Sequence, residues 1–346
     1  MYPNSAHENV MRRAAEVTPS MRYDGKENFK EWQNRARAKL AELLGMDKFV
    51  SCDLNVQIEY DRMEENFREI RFTFESEPGY HAPCHLLIPK NATGKLPVMI
   101  GLQGHSKGQH VSLGRTRFEG ETITEGSRIR AFAVQSVQQG YAAVTLEMRG
   151  MGECGGDENG PRCGVHTLAN LTVGRTTIGE RVWDVSHLID VLTTTFAEYI
   201  DESKIYCMGN SGGGTATFYA GCMEERLAAV MPSCSYSDYD DSIIAMAHCT
   251  CNFIPHIREY FNMGDLSGLI APRKFVPVAG EWDRIFPLPG VKGQFEETKR
   301  LFAAAGVPDN CELIVGTLPK EYENDPYEGH RFYPEQAWPI FHKMVD

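Results

Sequence analysis

The chain is poor in the features that define several large protein classes. No apolar run approaches the roughly 18 residues that suggest a membrane-spanning helix. The first thirteen residues, Met1 to Arg13, hold no apolar core of a secretory signal. A cytoplasmic location without a membrane partner is the corresponding expectation. Positive charge is also short: 35 Lys and Arg stand against 47 Asp and Glu, a formal net charge of −12. Nucleic acid and anionic membrane both need a positive field at the contact surface, so neither is expected as a partner. Cysteine is sparse, ten in 346 residues, which excludes a disulfide-stapled scaffold. Neither Cys-x-x-Cys nor His-Glu-x-x-His occurs. The local pairs Cys154 with Cys163, and Cys249 with Cys251 beside His248, have no further ligands at a metal-binding spacing, and His81 with His85 is a lone strand pair. No metal and no cofactor are expected.

What remains is an ordinary globular composition, 42% hydrophobic and 24% charged. Between Asn28 and Leu44, Phe29, Trp32, Ala36, Leu40 and Leu43 recur at three- and four-residue steps, and Gly45 follows. That spacing predicts an amphipathic helix with a glycine stop. From Asn55 to about Pro89 the pattern alternates, with Pro78-Gly79 as a turn between Glu69–Phe74 and His81–Ile88, which predicts antiparallel strands. Beyond Pro97 the texture changes to short apolar runs: Val98–Leu102, Ala142–Leu146, Ile205–Met208, Ala228–Met231, Lys274–Val278 and Glu312–Val315. Helix-like stretches separate them at about Gly179–Thr194, Gly213–Glu225, Lys292–Ala305 and Pro334–Val345. Buried parallel strands alternating with helices imply an α/β fold, a mostly parallel sheet with helices on both faces. Chemistry in such sheets sits at the carboxyl ends of the strands. The expected organisation is an N-terminal helical extension over 1–50 and a catalytic domain over 51–346. The stretch 232–272, with Tyr236, Tyr239, Phe253, Tyr260 and Phe261, is either a cap over the site or packing on the sheet edge.

Gly-x-Ser-x-Gly occurs twice, at Gly104–Gly108 and at Gly209–Gly213. Ser211 follows an apolar strand and precedes the small-residue helix start Gly212-Gly213-Gly214, the strand–turn–helix context the motif requires. Ser106 follows a strand too, but no helical pattern succeeds it. Ser211 is therefore the candidate nucleophile. An acyl-transfer enzyme also needs two donors for the carbonyl oxygen that gains charge. The backbone N–H of Gly212 and that of His105, in the loop after the first central parallel strand, are the candidates. An acid and then a base should follow Ser211. Of His248, His256, His330 and His342, only His330 lies in a turn-rich loop after the final strand. Asp283 ends the preceding strand, with Asp309, Asp325 and Glu328 as rivals. Arg149, Arg175 and Arg181 could bind an acidic group of a substrate, though paired scaffold arginines are commoner.

On these residues the chain resembles the α/β-hydrolase superfamily from about residue 80 onward, with Ser211, Asp283 and His330 at the nucleophile, acid and base positions. Arg149-Gly150 after a strand, Gly209–Gly213 and Ile270-Ala271-Pro272-Arg273 make it similar to the acetyl xylan esterase and dienelactone-hydrolase-like branch. It departs from that branch at Gly212, where Gln is usual, and at Met151 and Arg331. The resemblance implies a serine esterase with an acyl-enzyme intermediate, acting on a small-molecule or carbohydrate ester with a short acyl group. A homo-oligomer is compatible with it. The alternative is a binding protein or lyase on the same fold, because fold alone does not give function.

Overall fold

The computed structural model describes residues 5–319 and 328–346. Its strands are β1 (Gln57–Met63), β2 (Phe67–Glu77), β3 (Tyr80–Pro89), β4 (Leu96–Leu102), β5 (Ala142–Leu146), β6 (Ile200–Asn210), β7 (Ala229–Ser233), β8 (Lys274–Phe275), β9 (Val278–Gly280) and β10 (Ile314–Gly316). They form one sheet in the order β1-β2-β3-β5-β4-β6-β7-β9-β10, with β8 also beside β7. The β1–β2, β2–β3 and β3–β5 pairings are antiparallel, and the pairings from β5 to β10 are parallel. The expected α/β-hydrolase architecture is therefore present.

The helices are α1 (Ala6–Glu16), α2 (Phe29–Leu44), α3 (Glu125–Ile129), α4 (Phe132–Gln138), α5 (Cys163–Thr172), α6 (Thr177–Thr194), α7 (Gly212–Met223), α8 (Ile257–Tyr260), α9 (Met263–Ser267), α10 (Leu288–Ala304) and α11 (Pro334–Val345). Because strand side chains alternate, each central strand feeds two cores. Val98, Ile100, Ile205 and Cys207 enter the larger core with α2, α6 and α7. Met99, Tyr206 and Met208 enter a second core with Trp338 and Phe341 of α11.

One element differs from the sequence pattern for a physical reason. The run Lys274–Val278 is continuous in sequence but makes two strands, β8 against β7 and β9 against β10. Pro277 lies between them and has no N–H for a ladder. The aromatics of 232–272, for which packing is one of two expectations, point into the core. Tyr236 meets Phe218 and Phe275 at 5.5 and 5.4 Å and bonds Thr298 at 2.7 Å. The Tyr239 hydroxyl bonds that of Tyr219, Phe261 is buried, and Phe253 and Tyr260 pack against the same core half-buried.

Helix α2 shows how closely the first fifty residues are tied to the rest. Asn28 caps it by accepting from the N–H groups of Lys30 and Glu31, and Gly45 ends it at φ 73°. Trp32 is fully buried, and its indole N–H donates to Met21 O at 2.7 Å. Gln33 donates to the carbonyls of Gly268 and Ala271, both at 2.7 Å. A Cβ at Gly268 would stand 2.7 Å from the Trp32 ring, so the contact is close-packed. Trp32→Ala should therefore cost about 3–5 kcal/mol of unfolding free energy in urea titration. A change below about 1 kcal/mol would mean that α2 contributes little to the core.

Candidate active site

The chain passes from β6 to α7 through one residue, Ser211, at φ 55° and ψ −124°. An L-residue seldom adopts this backbone, and its neighbours hold it there. The Ser211 N–H donates to Ser233 O at 2.9 Å, and Ser211 O accepts from the Thr215 N–H at 2.8 Å. The glycines on either side are needed for close approach: a Cβ on Gly209 would lie 2.5 Å from Gly213 C, and one on Gly213 would overlap the Leu102 carbonyl oxygen. Ser211 thus sits at the amino end of a twelve-residue helix, where the dipole is positive. Ser106 has no such setting. Its hydroxyl turns back onto Gly108 O at 3.4 Å, and the chain then enters only a short 3-10 turn, Gln109–Val111.

Two more candidates, from different loops, meet each other. His330 Nδ1 lies 2.9 Å from Asp283 Oδ2. The other Asp283 oxygen accepts from the N–H groups of Ile285 and Phe286 at 2.8 and 3.1 Å. The Asp283 side chain is wholly buried, and His330 stacks on Phe286 with ring centroids 6.0 Å apart. Ser233 and Cys234, at the end of β7 and just past it, tie this loop to the elbow: Ser233 O accepts from Ser211, and Cys234 Sγ donates to Arg331 O at 3.2 Å. Among the rival acids, Asp309 lies in the exposed turn Pro308–Asn310 and Glu328 pairs with Arg331 at 3.0 Å. Asp325 lies outside the described residues. Of the other histidines, His342 on α11 bonds Tyr141, His256 pairs with Glu259, and His248 packs edge-on against Phe286.

The loop after β4 brings His105 against the elbow. A Cβ at Gly212 would lie 2.6 Å from the His105 imidazole, which accounts for glycine where the acetyl xylan esterase branch usually has glutamine. His105 Nε2 in turn lies 3.1 Å from Cys251 Sγ. Burial lowers the His105 pKa, but contacts with Cys163 and Cys251 outweigh it and push it up to about 9. Contacts with Cys163 and Cys249, together with the Arg181 guanidinium, hold the Cys251 thiol well below its ordinary value. The cysteines therefore group differently from their spacing. Cys163 faces Cys251 and not Cys154, and the imidazole beside the pair Cys249 and Cys251 is His105 and not His248.

The arginines singled out by sequence are scaffold. Arg149 bonds Asp184 at 2.8 and 2.9 Å and Glu77 at 2.6 Å, and Arg175 bonds Glu77 and Glu180 at 2.7 and 3.1 Å. Arg181 is fully buried and donates to two sulfurs and a carbonyl. His85 of the expected strand pair bonds buried Glu69 at 2.7 Å.

Glu147, just past β5, was not singled out by any motif, yet it anchors the His105 loop. It accepts from Gln103 Nε2 at 2.8 Å, the Gln109 N–H at 3.0 Å and the Glu153 N–H at 3.3 Å. Burial pushes its pKa up from 4.5 to about 7, the hydrogen bonds opposing that rise only in part. The folded state thus holds the proton more tightly than the unfolded chain. The resulting stability is complete below about pH 4.5 and is lost as pH rises through about 7, a change on the order of 3 kcal/mol. Gln103 Oε1 is buried without a partner among the described residues, so a neutral group at 147 can donate to it once the Gln103 amide turns over. Relative to wild type, Glu147→Gln should gain stability steadily between about pH 5 and pH 8. Superimposable pH–stability curves from urea titrations would refute the assignment.

A family model described as the Abhydrolase family (Abhydrolase_7) matches residues 7–314. "Putative hydrolase YtaP" of Bacillus subtilis (strain 168) is 23% identical over 276 residues, covering 78% of this chain and 88% of that protein. A 4-O-methyl-glucuronoyl methylesterase of Phanerochaete carnosa (strain HHB-10118-sp) is 30% identical over 158 residues, 38% of this chain and 39% of its own length. Among solved structures, a "putative acetyl xylan esterase" of Bacteroides fragilis NCTC 9343 superposes with a TM-score of 0.81 at 17% identity, over 100% of this chain and 96% of that one. No helix among the described residues is long and apolar enough to cross a membrane. With a matched family model over most of its length and a sheet of the expected order, the chain belongs to the Abhydrolase family.

Proposed function

We propose that the protein is a serine esterase that cleaves short acyl groups from small-molecule or carbohydrate esters. The observations that carry this reading are a strained serine at a helix amino terminus and a buried Asp283–His330 pair, whose loop Ser233 and Cys234 tie to the serine's backbone. With Nδ1 donating to Asp283, a neutral His330 presents Nε2 as an acceptor for the Ser211 hydroxyl proton. Ser211 Oγ attacks the ester carbonyl, and His330 takes its proton and then passes it to the departing alcohol. The N–H groups of Gly212 and His105 receive the oxyanion, aided by the dipole of α7. Water, deprotonated by His330, then attacks the acyl-enzyme, and the carboxylic acid leaves as His330 returns the proton to Ser211 Oγ. Asp283 keeps the imidazole in the required tautomer. The relatives named as acetyl xylan and glucuronoyl esterases support ester chemistry on this fold.

A fluorophosphonate probe should label wild type and Ser106→Ala but not Ser211→Ala. Labelling retained in Ser211→Ala would overturn the nucleophile, and no labelling of wild type would favour a binding protein or lyase. Turnover of p-nitrophenyl acetate should fall by about 10⁴-fold in Asp283→Asn, as expected for the wrong tautomer. Near-normal turnover there, with loss in Asp325→Asn or Glu328→Gln, would reassign the acid.

The acyl preference is a separate prediction. A small pocket gains about 1–3 kcal/mol per accommodated methylene until it is full, after which further carbons clash. The solved neighbour named as an acetyl xylan esterase supports an acetyl-sized pocket here, so kcat/KM should fall from p-nitrophenyl acetate through butyrate to octanoate. A rise toward octanoate would remove the short-acyl specificity while leaving the esterase reading intact.

A further inference from the structure

Four metal-ligating side chains from three distant segments converge behind the His105 loop. His105 follows β4, Cys163 opens α5, and Cys249 and Cys251 lie at the short turn Thr250–Asn252. Their donor atoms all lie within 4.8 Å of one another. His105 Nε2 is 3.1 Å from Cys251 Sγ, and the sulfurs of Cys249 and Cys251 are 3.4 Å apart. A tetrahedral zinc ion, with Zn–S of about 2.3 Å and Zn–N of about 2.0 Å, spaces neighbouring ligand atoms roughly 3.5–3.8 Å apart. Adjustments of about 1 Å or less would bring the four atoms onto those edges.

The surroundings suit an anionic metal–thiolate centre. Arg181 is fully buried, and among the described residues its hydrogen-bond partners are Cys251 Sγ at 3.4 Å, Cys163 Sγ at 3.5 Å and the Arg149 carbonyl at 3.2 Å. A buried guanidinium needs a compensating anion. Its neighbours in α6 do not supply one to it: Asp184 and Glu180 are both committed to Arg149. Zinc with three thiolates and a neutral imidazole carries one net negative charge, which Arg181 cancels.

We propose that His105, Cys163, Cys249 and Cys251 form a structural zinc site of the Cys₃His type, with Arg181 as its buried counter-cation. Four protein ligands leave no open position, so the ion bridges segments and activates no water. Binding releases the protons held by the thiols and by the imidazolium to solvent and involves no change of oxidation state. The ion would join the loop after β4, the start of α5 and the 249–251 turn, and would hold the imidazole over Gly212. The site stands independently of the esterase reading.

The full-length protein, reduced and handled without oxygen, is stripped of metal and titrated with cobalt(II). Wild type should take up about one equivalent, with the intense visible bands of tetrahedral cobalt and sulfur-to-cobalt charge transfer in the near ultraviolet. Zinc(II) should displace it. Cys163→Ser combined with Cys251→Ser should abolish that uptake, while Cys311→Ser should leave it unchanged. The proposal is overturned if wild type takes up no cobalt, if its spectrum is the weak one of oxygen-ligated cobalt, or if the double variant binds as wild type does. The wild-type spectrum decides the matter even if the double variant does not fold.

Discussion

The constraint on which the rest depends is the single-residue passage from β6 into α7. A backbone at φ 55° and ψ −124° stores on the order of 1–3 kcal/mol, and it persists because the surroundings over-determine it. Gly213 presses onto the carbonyls of Leu102 and Gln103, so the end of β4 and the start of α7 cannot separate without losing that contact. The loop leaving β4 is thereby delivered next to Gly212, and His105 closes over it. On the other side the Ser211 N–H is fixed by Ser233, whose neighbour Cys234 binds the backbone beside His330. One strained serine thus sets the positions of two loops that are far apart in sequence.

Charge is arranged to make this frame rigid. The chain is acidic overall, yet Arg149 and Arg181 are buried. Arg149 joins Glu77 at the end of β2 to Asp184 and Glu180 in α6, and Arg175 bridges the same two glutamates from outside. In such a network the net gain from each pair is small, while loss of one member leaves a buried charge uncompensated and costs several kcal/mol. The network therefore acts more on uniqueness of the arrangement than on total stability. It also explains why an Arg-Gly pair after β5 serves the scaffold: the guanidinium spends its hydrogen bonds inward, on Glu77, Glu180, Asp184 and Ser76.

Much of this was legible in the sequence because it rests on local patterning. Helix α2, the β2–β3 hairpin and the buried strands follow from periodicity, and the elbow follows from glycines flanking a serine between a strand and a helix. The acid and base were narrowed by chain order and by their place after strands, and the structure joins Asp283 to His330. What periodicity missed is mostly short or tertiary, although the ten-residue α5 was passed over too. Helices α3, α8 and α9 have four or five residues each, too few to display a period. The aromatics of 232–272 could not be assigned a direction, because inward packing on α7 and a roof over Ser211 have the same composition. Glu147 carries no motif, since its effect comes from burial and from three donors on other segments. The regrouping of the cysteines is the clearest case: a spacing rule finds ligands on one hairpin or helix, whereas His105, Cys163 and Cys251 are 58 and 88 residues apart along the chain.

The two sides of Ser211 are held by different means, and the difference has a chemical logic. The His330 side is tied by backbone amides to a carboxylate, by a ring stack and by carbonyl contacts to Ser233 and Cys234. Those tethers fix Nδ1 and, among the described residues, do not engage Nε2, which suits the proposed role of a group that must exchange a proton. The His105 side presents only a backbone N–H to the proposed oxyanion, so its imidazole needs no freedom and can be clamped. Sulfur contacts, a buried arginine and the anchor at Glu147 all act on that loop or on what it touches. A donor pair stabilises developing charge only if it is already in place when the charge appears. Rigidity is accordingly concentrated where the backbone must not move, and among the described residues the proposed proton-transferring side chain is held through Nδ1.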